Sequence, residues 1–225
     1  MKEIDVLYED NHLVIVNKPG GLLSQPTDLE HDSVETRVKE WIKKKYQKPG
    51  NVFAGVIHRL DKPVSGILVL AKTSKALARL NSSMRSRQLQ KTYLAIVEGA
   101  PAKKEGALEH YLVHGDHISY VSDSKDTEAK LARLSYKISK ELKGYSKLEI
   151  VLETGRYHQI RCQFAAVGYP VVGDFKYGAH KGQKILPELP LQAIALHHYQ
   201  LRLIHPVTQK ELVIEAEPPA YMKLG

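Results

Sequence analysis

Ala107-Leu108-Glu109-His110-Tyr111-Leu112-Val113, then Gly115, then Ile118-Ser119-Tyr120-Val121-Ser122, reads as two short strands around a glycine-centred break. The same texture continues outward. Strand-like runs follow at 130–138, 145–152, 194–204 and 210–216, and precede it at 66–71 and 90–98. Residues 4–8 and 12–17 are two apolar runs around Glu9-Asp10-Asn11 and predict a β-hairpin. Helical spacing is rarer. Val34, Val38, Trp41 and Ile42 share one face of a helix predicted over 33–46, with Asp32 and Glu35 as a capping box. A second helix is expected from Thr73 or Ser74, with Leu77, Leu80 and Met84 inward, and a short one over 158–167. Residues 99–106 read as an exposed connection. Runs of strands with few helices argue α+β with a largely antiparallel sheet.

The 225 residues fit one domain over 1–225 with elaborate loops, since no repeat, low-complexity tract or composition shift marks a second. Hydrophobic residues at 43% and charged residues at 26% exclude general disorder. The single Cys162 excludes an internal disulfide framework and fits a reducing compartment. Glu3, Asp5, Glu9 and Asp10 leave no visible secretory signal, and no apolar run approaches a membrane span, so a cytoplasmic location is expected. Thirty-three basic against 25 acidic residues give a net charge of +8, which favours polyanion partners. From Ser74 to Lys91 the charges are Lys75, Arg79, Arg85, Arg87 and Lys91, with no acid among them. Such a one-sign stretch reads as phosphate contact by Arg79, Arg85, Arg87 and Lys91, against a solvated helix face.

Three polar clusters carry the chemistry. His58-Arg59-Leu60-Asp61 sits between apolar segments, and a carboxylate there serves as nucleophile, general base or turn residue. Thr154-Gly155-Arg156-Tyr157-His158-Gln159-Ile160-Arg161 places His158 and Arg161 three apart at a helix start. Arg161 suits holding a carboxylate or a phosphate, because guanidinium has five donors and keeps its charge. Gly168-Tyr169-Pro170-Val171-Val172-Gly173-Asp174 is the third. No phosphate-binding loop, nucleophile elbow or zinc helix is present in the sequence. His110, His114 and His117 have a ligand-like spacing, but strand character and Gly115 argue against metal, and none is expected. Cys162 reads as a small buried residue.

These clusters resemble the RluA family of RNA pseudouridine synthases. His58-Arg59-Leu60-Asp61-Lys62-Pro63-Val64-Ser65-Gly66 is similar to the family's H-R-L-D-x-x-T-S-G signature, with Val64 in place of the usual Thr. Asn17-Lys18-Pro19-x-Gly21, Lys91-Thr92-Tyr93-Leu94-Ala95 and Thr154-Gly155-Arg156-x-His158-Gln159-Ile160-Arg161 match further motifs in family order. So do Gly168-x-Pro170 with Gly173-Asp174-x-x-Tyr177-Gly178, and Leu196-His197 with His205-Pro206. Cys162-Gln163 departs from the apolar residue and His common at that place, which bears on substrate choice more than on reaction type. The matches span about residues 5–217. They imply the pseudouridine synthase fold, a mainly antiparallel mixed sheet flanked by a few helices with a central catalytic cleft. The form is expected to be the short one, without a preceding S4-type RNA-binding domain.

The resemblance also implies roles. Asp61 would be the catalytic carboxylate, Arg161 would pair with it and keep it charged, and Tyr93 would stack on the target base and take part in removing its carbon-5 proton. Ile160 would pack the other side of the base, and Arg59 would fill the place that the flipped-out uridine leaves. His58, Lys18 and Arg156 are carried over as substrate-binding positions. His58 reads as structural rather than a proton shuttle, and Lys18 and Asp174 as loop-stabilising, with Lys18 in reach of RNA phosphate. Isomerisation needs no redox partner or group donor, so no cofactor is expected. The expected partner is a ribosomal or transfer RNA stem-loop, handled by a monomer with no obligate protein partner and no membrane. Two other readings compete. A catalytically silent RNA-binding protein on the same fold sits badly with Asp61, Tyr93 and Arg161 all being present. A two-carboxylate glycosidic hydrolase would need a second acid in the pocket.

Overall fold

The computed structural model describes residues 3–123 and 127–223. In chain order the strands are β1 Asp5–Glu9, β2 Leu13–Lys18, β3 Gly55–Val56, β4 Ser65–Ala71, β5 Gln90–Glu98 and β6 Glu105–His114. They continue as β7 Ser119–Ser122, β8 Lys130–Leu142, β9 Tyr145–Leu152, β10 Leu196–Ile204 and β11 Glu211–Glu215. The helices are α1 Val34–Lys45, α2 Ser74–Arg85 and α3 Gln159–Ala166, with single helical turns at Phe175–Tyr177, Gly182–Ile185 and Ala220–Met222. Strands dominate and pair mainly antiparallel, which is the expected α+β class. The residues cluster into two compact units, Met1–Leu89 with His198–Glu217 and Gln90–His197 with Pro218–Gly225. No described helix is long and apolar enough to cross a membrane.

In the first unit β2 is paired by β1 on one side and β4 on the other, with Val16 opposite Leu68 and Val14 opposite Leu70. All seven residues of β4 are buried. That explains why 66–71 is a continuous apolar run rather than an alternating one. Leu13, Ile15, Ile67 and Val69 pack with Leu80 of α2 and with Leu201, Leu203 and Ala216 into one core. Truncating a core leucine such as Leu80 to alanine costs about 2–5 kcal/mol. Thr73 caps α2 by accepting from the Ala76 amide. The cap of α1 differs from expectation: Ser33 and Thr36 form the capping box. A bridge between Leu23 and Ser33 makes Ser33 the last extended residue, and the Val34 amide already donates to Leu23. Asp32 instead holds Arg37, and Glu35 holds Lys39.

In the second unit the strand order is β5-β9-β8-β6-β7. Tyr93 of β5 lies opposite Ile150 of β9. The connection expected over 99–106 is shorter, because β6 already pairs from Glu105, opposite Lys137 of β8. Beneath these strands Cys162 of α3 packs with Leu112 and Ala132, and Phe164 meets the Tyr136 ring edge-on at 5.6 Å. Burial pushes the Cys162 thiol up to about 11, as expected of a small buried residue rather than a nucleophile.

Candidate active site

The Asp61 loop belongs to the first unit and is held through its backbone. Ser24 is the clamp: its hydroxyl donates to the Leu60 carbonyl at 2.8 Å and accepts the Leu60 amide at 3.0 Å. The Asp61 carbonyl accepts the Val64 amide at 3.0 Å, closing a tight turn through Lys62 and Pro63. The Gly21 amide donates to the Lys62 carbonyl at 2.8 Å, and φ of +84° at Gly21 explains the glycine in the Asn17–Gly21 turn. Lys18 lies beneath. It is fully buried, and its ammonium donates to the carbonyls of Pro19, Leu22 and Lys62 at 3.0, 2.6 and 3.0 Å. Burial pushes this ammonium down to about 7, while the charge of Asp61 pulls the other way. With all three donors spent on carbonyls, Lys18 is a brace for the loop and is not presented to RNA phosphate.

Asp61 itself is half-buried and Arg59 is exposed. His58 is buried, its ring edge-on to His198 at 5.5 Å, and His198 bonds the Ile67 carbonyl through Nδ1 at 2.7 Å. The glycine that closes the motif has a steric reason. At Gly66, φ is +111°, and a Cβ would stand 2.3 Å from the His198 carbonyl oxygen. Only glycine allows β4 and β10 to approach there.

The second unit carries Tyr93, Ile160, Arg161 and Arg156. Tyr93 is buried in β5 and Ile160 in α3. The Thr154–Arg161 motif builds the start of α3 from its own side chains. Thr154 donates to Gln159 Oε1 at 2.8 Å, the Arg156 amide reaches the same oxygen at 3.0 Å, and Gln159 Nε2 donates to the Arg133 carbonyl at 3.0 Å. His158 takes the left-handed region, with φ of 52°. Arg156 spends its Nε on the Leu131 carbonyl at 3.0 Å, so it serves the loop as well as any ligand.

Arg161 is buried and gripped on two sides. Asp174, also buried, accepts Nε at 2.6 Å and Nη2 at 2.9 Å. The Tyr177 ring lies 5.0 Å from the guanidinium. The Tyr177 hydroxyl accepts the Ser119 amide at 2.8 Å and meets His158 Nδ1 at 2.9 Å. Burial, reinforced by the charges of Arg161 and Lys176, pushes His158 down to about 3, so the ring is neutral at pH 7. A neutral imidazole carries a single N–H, so the direction of this hydrogen bond is set by the ring's tautomer. Burial raises Tyr177 above the ordinary phenol range. Asp174, which the sequence presented only as a loop residue, is thus a carboxylate partner of Arg161 within this unit.

Of the expected phosphate contacts, Arg85 and Arg87 are exposed on and just past α2. Arg79 donates to the Pro206 carbonyl at 2.8 Å, which ties it to the β10–β11 turn. Lys91 is half-buried in β5, and burial pushes its ammonium down to about 8. Of the three spaced histidines, His110 meets Gln163, and the His114 ring lies 4.2 Å from the Tyr157 ring at a tilt of 45°. Among the described residues no group of three His, Cys, Asp or Glu side chains is placed to hold a metal ion. The residues missed at the sequence level are Ser24, Gln159, Tyr177 and the role of Asp174. For Tyr177 and Asp174 the signal was their shared motif, Gly173-Asp174-x-x-Tyr177-Gly178.

A family described as RNA pseudouridylate synthase matches residues 12–166. A Zymomonas mobilis protein named ribosomal large subunit pseudouridine synthase D is 34% identical, over 98% of this chain and 71% of its own length. The tRNA pseudouridine synthase C of Vibrio vulnificus is also 34% identical, over 95% of this chain and 90% of its own. The solved structure of human RNA pseudouridylate synthase domain containing 4 shares the fold, with a TM-score of 0.80 and 23% identity over 97% of this chain and 90% of that one. Matches of this extent agree with the ordered motifs from Asn17 to Pro206, and the chain belongs to the RluA group of the RNA pseudouridylate synthase family, isomerases that turn uridine in RNA into pseudouridine.

Proposed function

We propose that this chain isomerises a uridine in a structured ribosomal or transfer RNA, with Asp61 as the catalytic carboxylate. In that reaction the bond from the sugar to ring nitrogen 1 breaks, a bond from the sugar to ring carbon 5 forms, the carbon-5 proton leaves and nitrogen 1 gains one. No oxidant, reductant or donor group enters the balance. Attack on the sugar, attack on the ring and removal of a sugar proton all need an ionised carboxylate at the sugar–base junction. The observation that carries the assignment is the bracing of the Asp61 turn by Ser24, Gly21 and the buried Lys18. A turn fixed at Leu60, Lys62 and Val64 keeps a half-buried carboxylate in one place, which catalysis by positioning requires.

From the second unit the proposal takes Tyr93 as the stacking surface and proton acceptor, Ile160 as apolar packing for the base, and Arg161 as the fixed positive charge. Arg59 would fill the place left by the flipped base, whose extrusion costs a few kcal/mol. The proposal takes the protein to act in the cytoplasm as a monomer, in line with its single cysteine. The test is release of tritium from uridine labelled at carbon 5 in ribosomal and transfer RNA, with products mapped to their positions. Release by the wild-type chain and none by Asp61→Ala is expected. Release by both would remove Asp61 from the reaction.

A further inference from the structure

The end of α1 is a basic surface that none of the family motifs includes. Lys43-Lys44-Lys45-Tyr46-Gln47-Lys48 is exposed throughout and contains no acid. Lysines in a last helical turn suit the helix dipole, and that accounts for one or two of them. It does not account for Lys48, which lies beyond the helix. The chain folds Lys48 back: Gln47 takes φ of 48°, and the Lys48 amide returns to the Lys43 carbonyl at 3.0 Å. This closing turn usually uses glycine at the left-handed position, because a side chain there is disfavoured.

The returned lysine joins others around one aromatic ring. The ammonium groups of Lys72, Lys45 and Lys48 lie 5.0, 5.5 and 6.0 Å from the centre of the Tyr46 ring, and Lys45 also sits 4.6 Å from the Trp41 ring. One carboxylate serves this cluster. Glu9 takes Lys45, Lys72 and the Tyr46 hydroxyl, and these bonds hold its carboxyl down at about 2. Lys43, Lys44 and Lys48 make no salt bridge among the described residues. Lys45, Lys48 and Lys72 gather at one ring beside Glu9, with Lys43 and Lys44 preceding them in sequence, and like charges so grouped repel one another unless an anion covers them.

We propose that the end of α1, through Lys43, Lys44 and Lys48, binds the phosphate backbone of the substrate RNA away from the target uridine. The inference rests on the reading of this chain as an enzyme acting on RNA. The ligand is a run of phosphodiesters in a stem rather than a base, because ammonium groups on flexible stems serve as point charges without base readout.

The triple variant K43Q/K44Q/K48Q keeps helix propensity and removes three charges. Filter binding to a long structured RNA should show a salt slope flatter by roughly 0.7–0.9 per neutralised charge. KM for that RNA should rise several-fold with kcat unchanged, while a short stem-loop around the target uridine should be turned over as by wild type. Lys48→Gln alone, outside the helix, should flatten the slope by about one charge's worth and guards against a triple variant that fails to fold. The exposed pair Lys103 and Lys104 in the second unit is the control. An unchanged slope in the triple variant, or an equal loss per charge in K103Q/K104Q, would overturn the proposal. Binding is read without turnover, so the two readings fail separately. A flattened slope in a protein that releases no tritium would overturn the isomerase reading and leave this surface standing.

Discussion

The two units hold their charged groups by opposite means. In the first, the Asp61 turn is fixed by backbone hydrogen bonds and by Lys18, whose charge is met by three carbonyl oxygens. In the second, Arg161 is fixed by a full countercharge, Asp174, and by the Tyr177 ring. Carbonyl dipoles satisfy the donors of a buried ammonium but do not cancel its charge, so burial brings Lys18 down to about 7. A guanidinium does not deprotonate in a protein, and its neighbour His158 is neutral down to about pH 3. One unit therefore carries a titrating brace near neutral pH, and the other a charge that stays fixed.

The contrast is broken most severely at Asp61. Asp61→Ala is expected to abolish isomerisation while RNA affinity and the melting temperature stay close to wild type, because the turn's bonds use backbone atoms of Leu60, Asp61 and Lys62. A large drop in melting temperature would mean that the side chain holds the turn. Next is Tyr93, whose phenylalanine variant keeps the ring and loses the hydroxyl. If that hydroxyl accepts the carbon-5 proton, turnover should fall by about a hundred- to ten-thousand-fold with RNA binding retained. Tyr93→Ala should weaken binding as well, since stacking is worth about 1–3 kcal/mol per base. Near-normal turnover by Tyr93→Phe would leave the residue as a platform only.

Asp174→Asn should strike stability rather than chemistry alone. It removes one carboxylate from a buried ion pair, and breaking such a pair from one side costs about 3–5 kcal/mol, readable in a urea titration. The exposed pair between Lys62 and Glu30, beside Asp61 in sequence, should be worth about 0–1 kcal/mol, so Glu30→Gln serves as its foil. A loss under 1 kcal/mol for Asp174→Asn would mean that the guanidinium is neutralised without it.

Lys18 gives a smaller, pH-dependent effect. In the unfolded chain its ammonium keeps the proton up to about 10.5, and in the folded protein it gives it up from about 7. Between those values the unfolded chain binds more protons, so this group's contribution to stability rises with pH across the window. The wild-type melting temperature should therefore rise relative to that of Lys18→Met between pH 7 and pH 10. No relative change would show that the three carbonyls and Asp61 keep the lysine charged.

The strands and helices were legible because their signals are local: β4 from its unbroken apolar run, α2 from Thr73 and the spacing of Leu77, Leu80 and Met84. The motifs were legible too, but the support behind them was not. Asp32 with Glu35 and Ser33 with Thr36 fit the same capping spacing one residue apart, and the choice was made by Leu23, ten residues away. The two residues of β3 carry no pattern of their own and exist through pairing with β4. Ser24 and Leu60 are 36 residues apart, and a serine in a loop gives no hint of such a partner. Asp174 and Arg161 are closer, 13 apart, yet nothing in a sequence says which of several acids a buried arginine will take. Long-range polar pairing is set by the fold, and it is the part that a reading of local pattern leaves out.

The smallest effect sharpens the contrast at the surface. The one-sign stretch from Ser74 to Lys91 suggested four equivalent phosphate ligands, but the structure separates them. Arg85 and Arg87 are exposed, whereas Arg79 holds the Pro206 carbonyl and Lys91 is half-buried with its ammonium lowered to about 8. Arg85→Gln and Arg87→Gln together should flatten the salt dependence of RNA binding by roughly 0.7 per charge for a single strand, with kcat unchanged. Arg79→Gln should leave the slope alone and cost about 0.5–1.5 kcal/mol of stability through the lost bond to Pro206. Lys91→Gln should matter less as the pH of the assay is raised above 8, where the wild-type side chain has itself lost its charge. Equal slopes for wild type and the Arg85/Arg87 variant would return this part of α2 to an ordinary solvated face. A flattened slope for Arg79→Gln would mean that RNA pulls its guanidinium away from Pro206.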